Sequence, residues 1–282
     1  MLELNLSYKT DQLVGFQKKK DLFMKIAVLM KQVPNEDAAI KIDSGSTSII
    51  EDNVTFITNE PDTYALEEAL LMKDQMDNID EVVVCTMGAE SSLQTIKDAL
   101  AKGADRAIFI NNTNQKYQDP LYRAKIIAKV FNDEAFDIVL SGLQSDDDGY
   151  AQMGVLIAEL LNMNHASLVM GTEFIDLETV KVKRELESGW FQWSELKLPI
   201  SLTIQSGLNQ PRYASLKGIM GVKKKTIDSY NFDELGIEGD SQTELIKLFN
   251  PEKTKVTEFI EGTSDEIVEK LVHILKNEIK VI

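Results

Sequence analysis

The residues best suited to chemistry lie in one stretch, SGLQSDDDGYAQMG, at positions 141–154. Hydrophobic patterning puts a strand before it, at 137–141, and a helix after it, at 151–161. A helix start offers free backbone N–H groups and the positive end of the helix dipole, which together favour phosphate. Gly149 and Gly154 would let backbone come close to a ligand. The three consecutive carboxylates, Asp146, Asp147 and Asp148, admit three readings. One of them caps the helix. Or they accept hydrogen bonds from ribose hydroxyls or backbone amides. A divalent-metal site is the weakest reading, because adjacent residues rarely converge on one ion without further ligands. The spacing gives no independent support to paired-carboxylate glycoside chemistry.

Other chemistry is thinly represented. No G-x-G-x-x-G follows a strand and no G-x-x-x-x-G-K-[ST] occurs, so neither an NAD dehydrogenase nor a P-loop NTPase is expected. With one Cys and two His, nucleophilic and His-based acid–base catalysis are poorly supplied. A single Cys excludes an internal disulfide and a Cys-based zinc site, and it fits a reducing compartment. Cys85 falls inside an apolar strand and reads as buried and inert. His165, at a helix-to-strand junction, reads as structural rather than catalytic; His273 reads as surface. Trp190, Phe191 and Trp193 cluster on an expected hairpin, as packing or an interface rather than a cofactor clamp. The 46 acidic against 30 basic residues give a charge of −16, which argues against nucleic acid or an anionic membrane surface as target. No apolar run approaches the roughly 20 residues of a membrane span.

The elements that must position the 141–154 stretch alternate. Strands read at 24–30, 81–87, 106–110 and 137–141. Helices begin near Pro61, after Ser92 and at Pro120, and Gly103 ends the second of them. Residues 38–58 read as two short strands around an Asp43–Ser46 turn. This rhythm implies a mostly parallel, doubly wound α/β sheet with helices on both faces. Ligands in such folds sit beyond the carboxyl ends of the strands, which selects the loops at 31–37, 87–92 and 141–154. Residues 165–206 read as further strands. From about Asp228 the chain turns polar and punctuated, before a last amphipathic helix over 264–278 with Thr263 or Ser264 as cap and Glu266 in its first turn.

Residues 209–225, NQPRYASLKGIMGVKKK, join Pro, Arg and Tyr to an exposed-looking apolar stretch and three lysines. One reading is a solvated basic helix end. The other is a protein-recognition element with Leu216 and Met220 as apolar anchors ringed by charge, which the Arg and Tyr favour.

At this segment a family resemblance appears. LKLPISLTIQSGLNQPRYASLKGIMGVKKK resembles the signature region of electron transfer flavoprotein beta subunits. MKIAVLMKQVP resembles that family's first strand and loop, and ITNEPDTYALEEAL its next helix start. ALAKGADRAIFI resembles a helix–turn–strand of the family, SGLQSDDDGYAQMG its adenine-nucleotide loop, and PEKTKVTEFIEGTSDEIVEKLVHIL its C-terminal segment. The resemblance runs from Met24 to the end of the chain.

It implies an adenine nucleotide alpha hydrolase-like α/β fold and a C-terminal arm that wraps a partner. It implies a heterodimer with an alpha subunit that holds most of the redox FAD, while the beta subunit holds structural AMP. Electrons would come from acyl-CoA dehydrogenase-type donors and pass to an electron transfer flavoprotein-quinone oxidoreductase, with no catalytic residues in this chain. Nucleotide contacts would fall on the main chain near Leu29, on Asn59, near Met87, and on Asp147, Asp148, Gln152, Met153 and Gly154. Leu216 matches the anchor of the family's recognition loop, with Arg212 and Tyr213 its neighbours and Met220 beside it. The chain departs from AMP-binding members at Met87, where they carry Cys, and at Ala151 and Met153, where they carry Asn and Thr. Pro34-Asn35-Glu36 lacks the Tyr that some members place near the flavin. Electron-bifurcating members, with a second FAD in the AMP position, tend to read Asp-Gly-Asp where this chain has Asp147-Asp148-Gly149, which favours AMP.

The expected organisation is an extension at 1–23, an α/β domain at 24–227 that includes the recognition loop at 209–225, and a C-terminal arm and helix at 228–282. The extension lacks the order of a secretory signal and the Arg-rich, acid-poor character of a transit peptide, so a cytoplasmic place is expected. Two alternatives stand beside the AMP-holding carrier: a bifurcating subunit with a second FAD, and a stand-alone adenine-nucleotide-binding stress or regulatory protein.

Overall fold

The computed structural model describes residues 23–113, 118–237, 241–251 and 257–282, so the N-terminal extension lies outside it but for Phe23. In chain order the strands and helices are β1 (Met24–Leu29), β2 (Gln32–Pro34), β3 (Lys41–Ile42), β4 (Ile49–Ile50), β5 (Phe56–Thr58), α1 (Glu60–Gln75), β6 (Ile79–Gly88), α2 (Leu93–Lys102), β7 (Arg106–Asn111) and α3 (Pro120–Phe131). Then follow β8 (Ile138–Gly142), α4 (Met153–Leu160), β9 (Asn164–Phe174), β10 (Thr179–Glu185), β11 (Phe191–Lys197), β12 (Ile200–Ile204), α5 (Leu216–Gly221), β13 (Ile227–Asn231) and α6 (Ser264–His273).

Nine strands form one sheet in the order β11-β10-β9-β12-β8-β1-β6-β7-β13. Every neighbouring pair is parallel except the two that involve β10. The central strands are apolar throughout, as a sheet covered on both faces requires: β8 and β12 are buried at every position. One core packs α1 and α2 against the sheet through Leu66, Ala69, Ile96 and Leu100. The other packs α3 and α4 on the opposite face through Ile126, Phe131, Ile157 and Ala158. The expected doubly wound parallel sheet is therefore present.

Local signals explain where the helices begin and end. Pro61 sits in the first turn of α1, where its missing N–H costs nothing. Asp119 caps α3 by accepting from Tyr122 N at 2.8 Å. Gly103 ends α2 with φ of 142°, open to glycine. One strand comes from an unpromising stretch. β13 lies in the segment that reads as polar and punctuated, yet it pairs with β7 residue for residue from Ile227↔Ala107 to Asn231↔Asn111. It is an edge strand with no fully buried residue, so polar side chains are tolerated in it, and Asp228 meets Arg106 at 3.2 Å.

A second compact unit comprises Ile42–Ile49 with Ile246–Ile282. In its turn Asp43 accepts backbone N–H bonds from Gly45, Thr47 and Ser48, the last two at 3.1 Å. These bonds hold the Asp43 carboxyl below its ordinary range. Its helix α6 opens on a capping box between Thr263 and Glu266, as the sequence suggests. Among the described residues no helix is long and apolar enough to cross a membrane.

Candidate functional site

The strand order reverses at β1. The chain runs from β1 through β6 to β7 on one side, then returns to place β8 on the other. Loops leaving the carboxyl ends of β1 and β8 therefore diverge, and a crevice opens between them. The cleft there has a volume of about 440 Å³, inside the roughly 300–1,000 Å³ usual for small-ligand sites. Its walls come from the ends of β1, β6 and β8, the first turns of α1 and α3, and the loop into α4.

Asp62 builds the floor. The first turn of α1 aims its carboxylate between the two diverging strands, where it accepts from Lys31 N at 2.8 Å and Gly142 N at 2.9 Å. A Cβ on Gly142 would lie 2.5 Å from Asp62 Oδ1, so glycine is what allows this approach. Burial pushes the Asp62 carboxyl up to about 7, against the opposing pull of its two backbone N–H donors, Asn59 and Lys31. Asn59, one residue before α1, holds the loop after β8 at two points. It donates to Gln144 O and accepts from Asp146 N, both at 3.0 Å.

The three carboxylates do not cap α4; its cap position is Gln152, with no side-chain cap bond. The helix starts at Met153 rather than 151 because Ala151 takes a left-handed φ of 52°. Two of the carboxylates are instead matched by cations. Lys31 Nζ meets Asp147 at 2.6 Å and Asp148 at 2.8 Å, and Arg123 meets Asp148 at 2.6 Å. Burial alone would raise the Asp148 carboxyl, but Lys31 and Arg123 overcome it and hold it below the usual range. Asp146 points to Glu60 N at the start of α1, at 3.5 Å.

This arrangement can receive a phosphate-bearing ligand with an apolar portion. Gln152 and Met153, at the start of α4, line the cleft, and the helix start has no side-chain cap, which leaves its first N–H groups available to a ligand. Gly149, with φ of 64°, shapes the loop before it. Behind the helix start, Gly154 packs so tightly that a Cβ would collide with Thr203 and lie 2.9 Å from Ser141 Oγ. Ser141 lines the cleft, and its buried Oγ has no hydrogen-bond partner among the described residues. Lys31 and Arg123 offset Asp147 and Asp148, so these two carboxylates do not present bare negative charge to a phosphate. Leu29, Met30, Met87, Ile127 and Met153 supply apolar wall for a base.

Of the residues expected at the nucleotide, Leu29, Asn59, Met87, Asp147, Asp148, Gln152 and Met153 line this cleft, and Gly154 stands directly behind it. Lys31, Asp62 and Arg123 join them in the cleft without a motif that marks them. The only available hints were the placement of Lys31 in a loop at a strand's carboxyl end and of Asp62 beside Pro61. Cys85 is buried in β6, and burial pushes its thiol up, which keeps it a poor nucleophile. His165 is exposed on β9. Trp193 and Phe191 are exposed on β11, with Lys181 and Lys183 over their rings at 4.9 and 3.9 Å.

The segment at 209–225 lies elsewhere, between α1 and α2. Tyr213, Leu216 and Met220 are 97%, 74% and 71% exposed, so they form an apolar surface rather than core. Arg212 turns inward: its Nε meets Glu67 at 2.9 Å and its Nη2 meets Asp74 at 2.9 Å. The three lysines divide. Lys223 and Lys224 are exposed, whereas Lys225 donates to Leu100 O at 2.8 Å and Ala104 O at 2.5 Å, closing the end of α2. The local basic patch is thus smaller than the run of three suggests.

Comparison with known proteins agrees with this picture. A family model described as the electron transfer flavoprotein domain matches residues 46–235. The electron transfer flavoprotein subunit beta of Methylophilus methylotrophus is 35% identical over 264 residues, covering 91% of this chain and 99% of that protein. The human protein of that name is 31% identical, covering 89% and 98%. The caffeyl-CoA reductase-Etf complex subunit CarD of Acetobacterium woodii is 33% identical, covering 90% and 98%. A matching signature segment, a parallel sheet with its cleft at the switch point, and relatives aligned over nearly their whole length lead to one assignment: the chain belongs to the electron transfer flavoprotein beta-subunit family.

Proposed function

We propose that this chain is the beta subunit of a cytoplasmic, heterodimeric electron carrier, and that its cleft holds AMP as a structural group. The carrier takes electrons from acyl-CoA dehydrogenase-type donors and delivers them to a quinone oxidoreductase. FAD, held mainly by the alpha subunit, supplies the redox chemistry when bound. The observation that carries the nucleotide reading is the uncapped start of α4 opening on the cleft. Backbone N–H groups of Gln152 and Met153 would hold the phosphate. The charge-matched Lys31–Asp147–Asp148–Arg123 cluster would close the mouth over it. Tyr213, Leu216 and Met220 form the surface that docks the donor dehydrogenase. The C-terminal segment beyond β13 serves as the arm that wraps the alpha subunit; Val268, Leu271 and Val272 of α6 are exposed and apolar, as such a contact needs.

The deciding experiment is extraction and quantitation of nucleotides from the heterodimer co-expressed with an alpha subunit. One FAD and one AMP per heterodimer is the expected result. Two FAD and no AMP would replace this reading with an electron-bifurcating one. Neither nucleotide in the beta cleft would defeat both. The chain purified alone is expected to be colourless. A stable monomer that binds ATP tightly would instead point to a regulatory nucleotide sensor.

A further inference from the structure

The docking surface belongs to a short helix with little stability of its own, since α5 has only six residues. Something else must hold it. Its downstream side rests on α2: a Cβ on Gly218 would collide with the Ala101 carbonyl oxygen, and Lys225 donates to Leu100 O in the last turn of the helix and to Ala104 O just beyond it. Its upstream side rests on two adjacent glutamates of α1. Glu67 and Glu68 are only 5% and 7% exposed, unusual for carboxylates that line no cleft.

Both glutamates face the chain that leads into α5. Glu67 accepts from Arg212 N at 3.0 Å and is paired with Arg212 Nε at 2.9 Å. Glu68 accepts from Asn209 Nδ2 at 3.0 Å and from Thr172 Oγ1. Asn209 also donates to Tyr64 O at 3.0 Å, so α1 grips the loop at Asn209 and again at Arg212. Arg212 is one residue from Tyr213 and four from Leu216. A charge-assisted Arg–carboxylate pair fixes direction as well as distance. An anchor fixed before the encounter loses less entropy on binding.

We propose that Glu67 is a positioning residue for partner docking: through Arg212 it holds the Tyr213–Leu216 surface in its binding-competent place. This rests on the reading that this surface docks the dehydrogenase, and the tests separate the two. In the heterodimer, Glu67→Gln keeps the side-chain size and removes the charge. Backbone amides from 212 to 221 are expected to exchange with deuterium at least tenfold faster in this variant, with α1 and the sheet unchanged. The half-saturating carrier concentration for reduction by an acyl-CoA dehydrogenase should rise about fivefold or more, with kcat within twofold and flavin content unchanged. Arg212→Lys, which keeps the cation and loses the fork, should fall between wild type and Glu67→Gln in both readouts. It also serves if Glu67→Gln fails to assemble. The double variant Glu67→Gln/Arg212→Ala should cost clearly less than the sum of the two single variants, because both break the same side-chain pair.

Unchanged exchange at 212–221 in Glu67→Gln, or fully additive effects in the double variant, would overturn the proposal. Faster exchange with unchanged half-saturation would overturn it as a docking device. Leu216→Ala is the independent control. If it raises half-saturation while Glu67→Gln does not, docking stands and the positioning role falls. If Leu216→Ala also changes nothing, the docking reading itself falls.

Discussion

Asp62 makes the floor of the cleft depend on a proton. Its ordinary value is 3.8 and burial moves it to about 7, so the folded state holds the proton that the unfolded chain has lost between those limits. Stability from this group is therefore complete below about pH 4 and is lost as pH rises through about 7. Asp62→Asn cannot titrate. It gives up one acceptor for Lys31 N or Gly142 N at every pH, a constant cost. The difference in urea-unfolding stability should thus move in favour of Asn by on the order of 2 kcal/mol between about pH 5 and pH 8. Parallel stability curves for the two proteins would mean that the carboxyl stays ionised across the range. Asp62 also shows the limit of reading single residues from sequence. Asn59, Asp147 and Gln152 could be named because the family resemblance assigns nucleotide contacts to them, whereas it assigns none to Lys31 and Asp62 in the same segments. Asp62 and Lys31 could not be named, because their roles arise from partners far along the chain: Gly142 is 80 positions from Asp62, and Asp147 is 116 from Lys31. Nothing local to either residue announces such a pairing.

At the scale of elements, the sequence spoke clearly wherever a boundary has local chemistry. Pro61, Gly103, Asp119 with Pro120, and the Thr263–Glu266 box all fall where the helices begin or end. It was silent where tertiary contact decides. β13 is a strand because β7 offers an open edge and Arg106 a counter-charge, not because its residues alternate cleanly. The start of α4 moved two residues because Ala151 adopts a left-handed turn that no Ala predicts. Two close approaches test how far these placements matter. Gly154→Ala would drive a methyl group into Thr203 and Ser141 at the helix start. It should cost about 1–3 kcal/mol of stability by overpacking, and the purified heterodimer should retain less AMP at unchanged FAD. Full AMP retention would show that the phosphate is not held at α4. Gly218→Ala would push α5 off the α2 carbonyl. Its expected effect is the reverse: nucleotide content unchanged, and reduction by an acyl-CoA dehydrogenase requiring several-fold more carrier. Equal half-saturation for wild type and Gly218→Ala would separate the docking surface from the seat of α5.

The whole molecule carries a charge of −16, and the surface proposed to dock the dehydrogenase departs from that average. Lys217, Lys223 and Lys224 are exposed around Leu216, Ile219 and Met220. An apolar centre ringed by exposed cations favours a partner with acidic residues around its own apolar site. Two fields then act on the encounter. The net charge of this chain repels an acidic partner at long range, and the lysine rim attracts it at short range. At physiological ionic strength the screening length is about 8 Å, so the distant charge is damped and the rim decides. Both fields act on the wild type, whereas replacing the three lysines by Gln removes the rim with only a small change in the global field. The ratio of their second-order rate constants for reduction by the dehydrogenase therefore isolates the rim. That ratio should be several-fold at about 0.05 M salt and fall toward one near 0.5 M. Flavin content and the rate at saturating carrier should stay the same in both proteins, because the lysines touch neither the cleft nor the anchors of the loop. A ratio near one at every salt concentration would mean that recognition rests on Tyr213, Leu216 and Met220 alone. A ratio that persists undiminished at high salt would mean that the lysines make close contacts in the complex rather than steering its formation.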